Sequence, residues 1–426
     1  MVWPRESLSV PAVPSPDLSP LRFVGDFPTP LVVHDLAVLR SRAAQLRRVL
    51  PVGTTLLYSL KANPLPPVVA ALQHAGCGSE VSSPGELAGA LSTGAPAGPV
   101  LYTGPGKSAR ELGAALAAGA IVSCESAAEV ARARDALGAV PLRAVLRIQP
   151  SSGAMAGLSM ADGRQFGFLE DEAVELCRRH RDDIEVLGFH CYLGSQLPTC
   201  EALLAAFGQA LDVMERVGSA CGIRPRIVDL GGGFPWPYAA PGEGPDLAPL
   251  AARLEQLVTP IRAQGADVWF ESGRSLAAPA SRLLTTVMDV KKRGGKTLVV
   301  VDAGVNVLGG MSGLGRILRP STAFRNLSAP DGPELTVDVV GPLCTPLDRL
   351  SAGTAVADPR IGDVLCVDNV GAYATTAALS AFLSRPAAVE LVTSGDDVIG
   401  AWALSTGFAP AVADARSPGQ PRAAGR

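Results

Sequence analysis

Histidine, tyrosine and paired cysteines are scarce in this chain. Among 426 residues there are four histidines and five tyrosines, and none of the eight cysteines stands in a Cys-x-x-Cys pair. The usual closely spaced zinc frameworks are therefore excluded, and no metal site is expected. The cysteines, at positions 77, 124, 177, 191, 200, 221, 344 and 366, lie scattered through apolar segments. That scatter suits reduced thiols in a cytoplasmic enzyme better than a disulfide frame. Basic residues are not in excess: 37 Lys and Arg face 40 Asp and Glu, for a net charge of -3. This balance argues against a nucleic-acid partner. No apolar run reaches the length of a membrane span, and residues 1–20 lack the apolar segment of a signal peptide. Segments 11–20 and 417–426 read as poorly ordered tails.

What is present is apolar and punctuated. The chain is 47% hydrophobic and 18% charged, with 46 glycines and 36 prolines. Its length makes two domains the natural expectation. From about residue 40 to 285, strand-like runs alternate with Ala-rich helical stretches. The runs are 56–60, 79–82, 100–103, 121–124, 144–149, 186–192, 227–230 and 268–272. Eight such alternations predict a (β/α)8 TIM barrel, with a doubly wound sheet as the competing architecture. Beyond 285 the runs 281–291, 296–302, 334–340 and 361–368 are β-branched and separated by Gly/Pro turns, the texture of a second, mainly β domain. The division expected is 1–24 flexible, 25–40 a strand joining the β domain, 41–283 barrel, 284–412 β domain and 413–426 tail.

Chemistry in a barrel of this kind sits at the C-terminal ends of the strands. Lys61, in Tyr58-Ser59-Leu60-Lys61-Ala62-Asn63-Pro64, falls there after an apolar run. An ammonium in that place is paired, shifted towards the neutral amine, covalently used, or snorkelling to water. A neutral amine is what a Schiff base with an aldehyde cofactor requires. Gly231, Gly232 and Gly233 follow the seventh run; three glycines let backbone N–H groups approach a phosphate, or simply make a flexible turn. Ser195, in Gly194-Ser195-Gln196, could donate to the same phosphate. Glu271 ends the eighth run, where it could keep a pyridine nitrogen protonated or pair with Arg274 at the rim. Arg274 could instead clamp a phosphate or a carboxylate. His190 ends the sixth run, where its imidazole could stack on a ring or serve as an ordinary structural group. Cys344, in a Gly/Pro-framed loop, could donate a proton, and Tyr373 needs a partner if buried.

Six segments stand in one order: Lys-Ala-Asn, Gly-Ser-Gln, Gly-Gly-Gly-Phe-Pro, Glu-x-Gly-Arg, Gly-Pro-x-Cys-x-x-x-Asp and Gly-Ala-Tyr. Together they resemble the fold-type III pyridoxal-phosphate decarboxylases, the group of diaminopimelate and ornithine decarboxylases, from about residue 29 to 386. The resemblance implies an alanine-racemase-like barrel plus β domain, pyridoxal 5'-phosphate as cofactor, an amino-acid substrate and a homodimer with shared sites. It implies that Lys61 carries the cofactor as a Schiff base and that His190 stacks on the pyridine face. Ser195, Gly231, Gly232, Gly233 and Arg274 would surround the phosphate, and Glu271 would meet the ring nitrogen. Cys344 and Tyr373 would reach into the partner subunit's site, Cys344 as proton donor. Glu80 stands where the family often has Asp beside the lysine.

The departures concern the substrate. Relatives acting on diamino acids carry an acid beside the loop cysteine to meet the distal ammonium, and here that position is Thr345. The segment Gly309-Gly310-Met311-Ser312-Gly313-Leu314-Gly315-Arg316 replaces their Arg-Pro-x-Leu-Tyr. Both features are similar to secondary-metabolism decarboxylases, such as the one acting on a glutamyl carrier protein in butirosin biosynthesis and those of siderophore pathways. Arg316, Thr345 and Asp348 are thus the expected substrate contacts, for an amino acid or conjugate possibly tethered to a carrier protein. The alternatives are a plain diaminopimelate decarboxylase, an amino-acid racemase, and a non-enzymatic decarboxylase homologue.

Overall fold

The computed structural model describes residues 20–94, 98–138, 140–150, 158–159, 165–181, 183–312 and 321–408. Eight parallel strands close into a barrel: Thr55–Ser59, Gly78–Val81, Val100–Tyr102, Ile121–Cys124, Leu142–Arg147, Ile184–His190, Ile227–Asp229 and Asp267–Ser272. The eighth pairs with the first, Phe270 opposite Leu56, which rules out the open doubly wound sheet. The eight runs read from the sequence are these strands, with ends that coincide or differ by at most two residues. Leu57, Leu101, Val145, Leu187, Ile227 and Trp269 fill one layer of the interior. The alternate residues, such as Leu56 and Tyr58, pack outward against the helices. Both strand faces are therefore buried, as parallel barrels require.

The helices begin where the sequence supplies a cap. Ser83, Ser108 and Ser126 each accept the N–H of a glutamate three residues on, Glu86, Glu111 and Glu129 respectively. This Ser-x-x-Glu spacing satisfies otherwise orphaned amides and contributes about 1 kcal/mol per helix start. It fixes where each chain segment leaves the catalytic end of the barrel.

The second region is a nine-stranded sheet. Ser281–Arg293, directly after the barrel, pairs antiparallel with Lys296–Val301 and Val364–Asp368. Leu31–Asp35, from ahead of the barrel, lies between Ser281–Arg293 and Val389–Ser394. The sheet thus receives the chain on both sides of the barrel. Glu334–Val340 lies parallel to Lys296–Val301, and Arg325–Asn326, Arg349–Ala357, Val389–Ser394 and Asp397–Ala403 complete the sheet; those last four went unread in the sequence. Arg349–Ala357 and Asp397–Ala403 carry mixed, partly exposed faces, Arg325–Asn326 is only two residues long, and Val389–Ser394 is short although its middle is buried. Among the described residues no helix is long and apolar enough to cross a membrane.

Candidate active site

Lys61 lies on the single turn Leu60–Ala62 that follows the first barrel strand. Its Nζ donates to both oxygens of Glu80, at 3.1 and 3.0 Å. Glu80, on the second strand, is buried and also accepts from Thr103 at 2.5 Å and Ser82 at 3.2 Å. Of the readings open in the sequence, the structure shows the paired ammonium. Burial alone would favour the neutral amine, but attraction to Glu80 and then Glu271 outweighs it, and the Lys61 pKa is raised above its ordinary value. With 45% of the side chain open to the barrel mouth, solvent tempers that effect.

Across the mouth, His190, Asp229 and Glu271 end the sixth, seventh and eighth strands, and all three are buried. Their ligand atoms lie within 4.8 Å of one another. His190 Nδ1 is 3.0 Å from Ser123 Oγ, and its Nε2 faces Glu271 Oε1 at 3.5 Å. Both of those facing atoms lack a hydrogen-bond partner. Burial, then the nearby Arg147 and Lys61, pushes the imidazole well below its usual pKa, so His190 is neutral. Burial, followed by repulsion from Asp229 and Glu80, raises the Glu271 carboxyl well above the normal range. Asp229 is raised to about 7, chiefly by burial, although its Oδ1 accepts the Gly231 N–H at 2.8 Å. Asp229 was not singled out in the sequence; an acid directly before Leu-Gly-Gly-Gly at a strand end was the available signal.

The three glycines form a tight floor. Gly231 adopts a φ of +64°, where a side chain is strained. A Cβ on Gly232 would lie 2.5 Å from the Glu271 carbonyl oxygen. Ser195, Gly232, Gly233 and Arg274 line one pocket with Lys61 and Tyr373. Arg274 forms no ion pair with Glu271 among the described residues; its guanidinium lies 4.8 Å from the Tyr373 ring, and its Nε is unpartnered. Tyr192 lines the same pocket, two residues past His190, and was also missed in the sequence.

Tyr373 requires a correction. The resemblance sent it to the partner subunit, whereas its ring stands in the pocket of its own chain beside Arg274. Its backbone is held at a φ of +58° by its N–H to Ala62 O at 2.7 Å, and Tyr238 donates to its carbonyl at 3.2 Å. A residue kept in the left-handed region by such contacts is common at functional sites.

The loop 341–348 stands apart from this pocket. Cys344 is exposed. Asp348, expected to touch substrate, is buried with both oxygens engaged: Oδ1 accepts from Val305 N at 2.8 Å and Oδ2 from Leu343 N at 2.7 Å. It braces the cysteine loop from within. Thr345 Oγ1 accepts the Leu347 N–H at 3.3 Å. Arg316 lies outside the described residues.

The comparisons with known proteins agree with this geometry. A family model described as "Pyridoxal-dependent decarboxylase, pyridoxal binding domain" matches residues 36–278. A diaminopimelate decarboxylase of Neisseria meningitidis is 30% identical over 88% of this chain and 92% of its own length. The L-glutamyl-[BtrI acyl-carrier protein] decarboxylase of Niallia circulans is 29% identical over 86% and 89%. The crystal structure of diaminopimelate decarboxylase from Helicobacter pylori complexed with L-lysine superposes with a TM-score of 0.78. It is 27% identical, covering 89% of this chain and 94% of that one.

Proposed function

Because the chain belongs to the pyridoxal-dependent decarboxylases, we propose that it removes the α-carboxylate of an amino acid whose distal end carries no free ammonium, such as an amide or a carrier-protein thioester. It is a pyridoxal 5'-phosphate-dependent amino-acid decarboxylase; the distal end of the substrate is the part proposed. The observation that carries it lies in the loop 341–348. Thr345 stands beside Cys344, and the loop's one carboxylate, Asp348, is spent on two backbone amides. Such a loop has no negative charge to offer a distal ammonium. The Niallia circulans relative acts on a carrier-protein conjugate, which supports the same reading.

The pocket fits the cofactor. Unpartnered buried atoms of Glu271, His190 and Arg274 await groups of complementary chemistry, and the Gly231–Gly233 floor packs so closely on Tyr192, the Glu271 carbonyl and Leu197 that only glycine fits there, which keeps the backbone itself at the pocket wall. When bound, the cofactor supplies an aldehyde for amines and a ring that accepts the electron pair left by departing CO2. Lys61 would hold the aldehyde carbon, with Glu80 orienting its amine. Ser195, Gly231, Gly232, Gly233, Arg274 and Tyr373 would hold the phosphate. Glu271, whose buried carboxyl holds its proton well above the usual range, would share that proton with a ring nitrogen. Neutral His190 would lie against the ring face without adding a competing charge. Cys344, exposed on its own chain, would serve a partner subunit's site and return a proton to Cα.

The test is mass spectrometry of product formation over a panel of free amino acids, their amides and aminoacyl carrier proteins. Loss of CO2 from the amides or carriers, with little from diaminopimelate or ornithine, is expected. Robust turnover of those free diamino acids and none of the conjugates overturns the substrate reading.

A further inference from the structure

A second cavity, of about 240 Å3, opens behind the catalytic pocket. Its walls are the segments that continue from two residues of that pocket: Ala62–Pro66 after Lys61, and Ala374–Thr376 after Tyr373. The two walls are tied together by the Tyr373 N–H to Ala62 O at 2.7 Å and by Asn63 Nδ2 to Gly371 O at 3.0 Å. The third side comes from the large sheet. Glu390 pairs in register with Trp402 on the adjacent strand and with Val32 on the other, which puts His34 one step along the same face. His34 joins Glu390 Oε2 at 2.5 Å and Ser281 Oγ at 2.6 Å.

The chemistry of this lining is specific. Trp402, Leu404, Leu65, Pro64 and Pro66 make it largely apolar. Glu390 is the one carboxylate, and no lysine or arginine lines the cavity among the described residues. Thr375 is only 5% exposed, lines the cavity, and leaves its Oγ1 without a hydrogen-bond partner. A buried hydroxyl in that condition costs free energy unless something else satisfies it. An apolar pocket with a few convergent polar groups is the usual form of a small-molecule site.

We propose that this cavity binds a small organic ammonium with an apolar body. The body lies against Trp402 and Leu404, the charged nitrogen is drawn to Glu390, and the Thr375 hydroxyl takes a polar group or an accompanying water. An anion is disfavoured, because it would meet Glu390 while no lysine or arginine lines the cavity among the described residues and the one imidazole there, His34, is already joined to Glu390 Oε2. The site is separate from the catalytic pocket and does not depend on the substrate assigned above. Its occupant would press on the two segments that carry Lys61 and Tyr373.

The experiment is calorimetric titration of the full-length holoenzyme with N,N-dimethylphenethylamine, a tertiary amine that cannot condense with an aldehyde at Lys61. Saturable binding is expected, accompanied by a change in tryptophan fluorescence that Trp402→Phe removes. Phenylacetate, its anionic counterpart, should give no saturable heat. Ala403→Arg puts a cation at the exposed rim and should weaken binding roughly tenfold or more, as one like charge at close range does. Thr375→Val is the second variant, should the first fold poorly, and should weaken binding also. Absence of saturable heat, equal binding of phenylacetate, or undiminished binding to both variants overturns the proposal. Binding that emerges only on dilution overturns it too, and assigns the cavity to a second copy of the chain.

Discussion

Lys61 Nζ lies 3.0 Å from Glu80 Oε2, and this ion pair joins the first barrel strand to the second at the mouth. The pairing holds the lysine charged, although the chemistry proposed for it begins with a neutral amine. Glu80 is therefore a control on when Lys61 can react. Without cofactor, wild-type protein should take up pyridoxal phosphate faster as pH rises, because a raised pKa keeps the amine protonated to higher pH. Glu80→Gln removes the opposite charge, lowers the lysine pKa, and should move that uptake profile to lower pH. A shift of about 1–3 units is the scale of one close opposite charge. Stopped-flow absorbance of uptake against pH measures it; superimposable profiles would contradict the assignment.

Asp229 gives a stability signature in the cofactor-free protein. Its native pKa is raised from 3.8 to about 7. Between those values the native state binds more proton than the unfolded chain, so stability falls as pH rises through the window. Asp229→Asn cannot ionise and should show a flatter decline across it. Thermal unfolding from pH 4 to pH 8 compares the two, and parallel curves would count against a buried, proton-retaining carboxyl.

Gly232 leaves no room for a side chain beneath Glu271. Gly232→Ala puts a Cβ 2.5 Å from the Glu271 carbonyl oxygen. The forced adjustment should cost about 1–3 kcal/mol, typical of overpacking. Both Tm and affinity for the cofactor phosphate should fall, read by thermal unfolding and equilibrium dialysis. Unaltered phosphate affinity would remove the floor from the proposed cradle.

The exposure of Cys344 and its absence from the lining of the Lys61 pocket lead to a complementation test. Lys61→Ala and Cys344→Ser should each be inactive alone. If sites are shared across a dimer, mixing equal amounts and allowing subunits to exchange should restore about a quarter of wild-type sites. No recovery despite verified exchange would place Cys344 outside the neighbour's pocket.

The barrel was legible because its strands are short apolar runs bounded by turn residues, and its site because Lys61, His190 and Glu271 are polar residues ending such runs. Asp229 escaped although an acid ends its run, because it was read only as the lead-in to the glycine turn, and Tyr192 escaped because an aromatic does not interrupt its apolar segment. Their roles arise only when the sixth, seventh and eighth strands are brought side by side. Asp348 looked like a substrate contact because it closes an exposed-looking loop. Its burial depends on Val305 and Leu343, and the Val305 contact in particular lies 43 residues away in sequence. Tyr373 was sent to the wrong subunit because nothing local shows that Ala62, 311 positions earlier, fixes its backbone.

The account turns on which amine takes the cofactor. Borohydride reduction of the holoenzyme, followed by digestion and peptide mass mapping, locates the phosphopyridoxyl group directly. It should lie on Lys61, with the near-visible absorbance bleached in the same step. Attachment to another lysine instead, such as the buried Lys107 held 2.6 Å from Glu129, or no attachment in a coloured protein, would contradict the account.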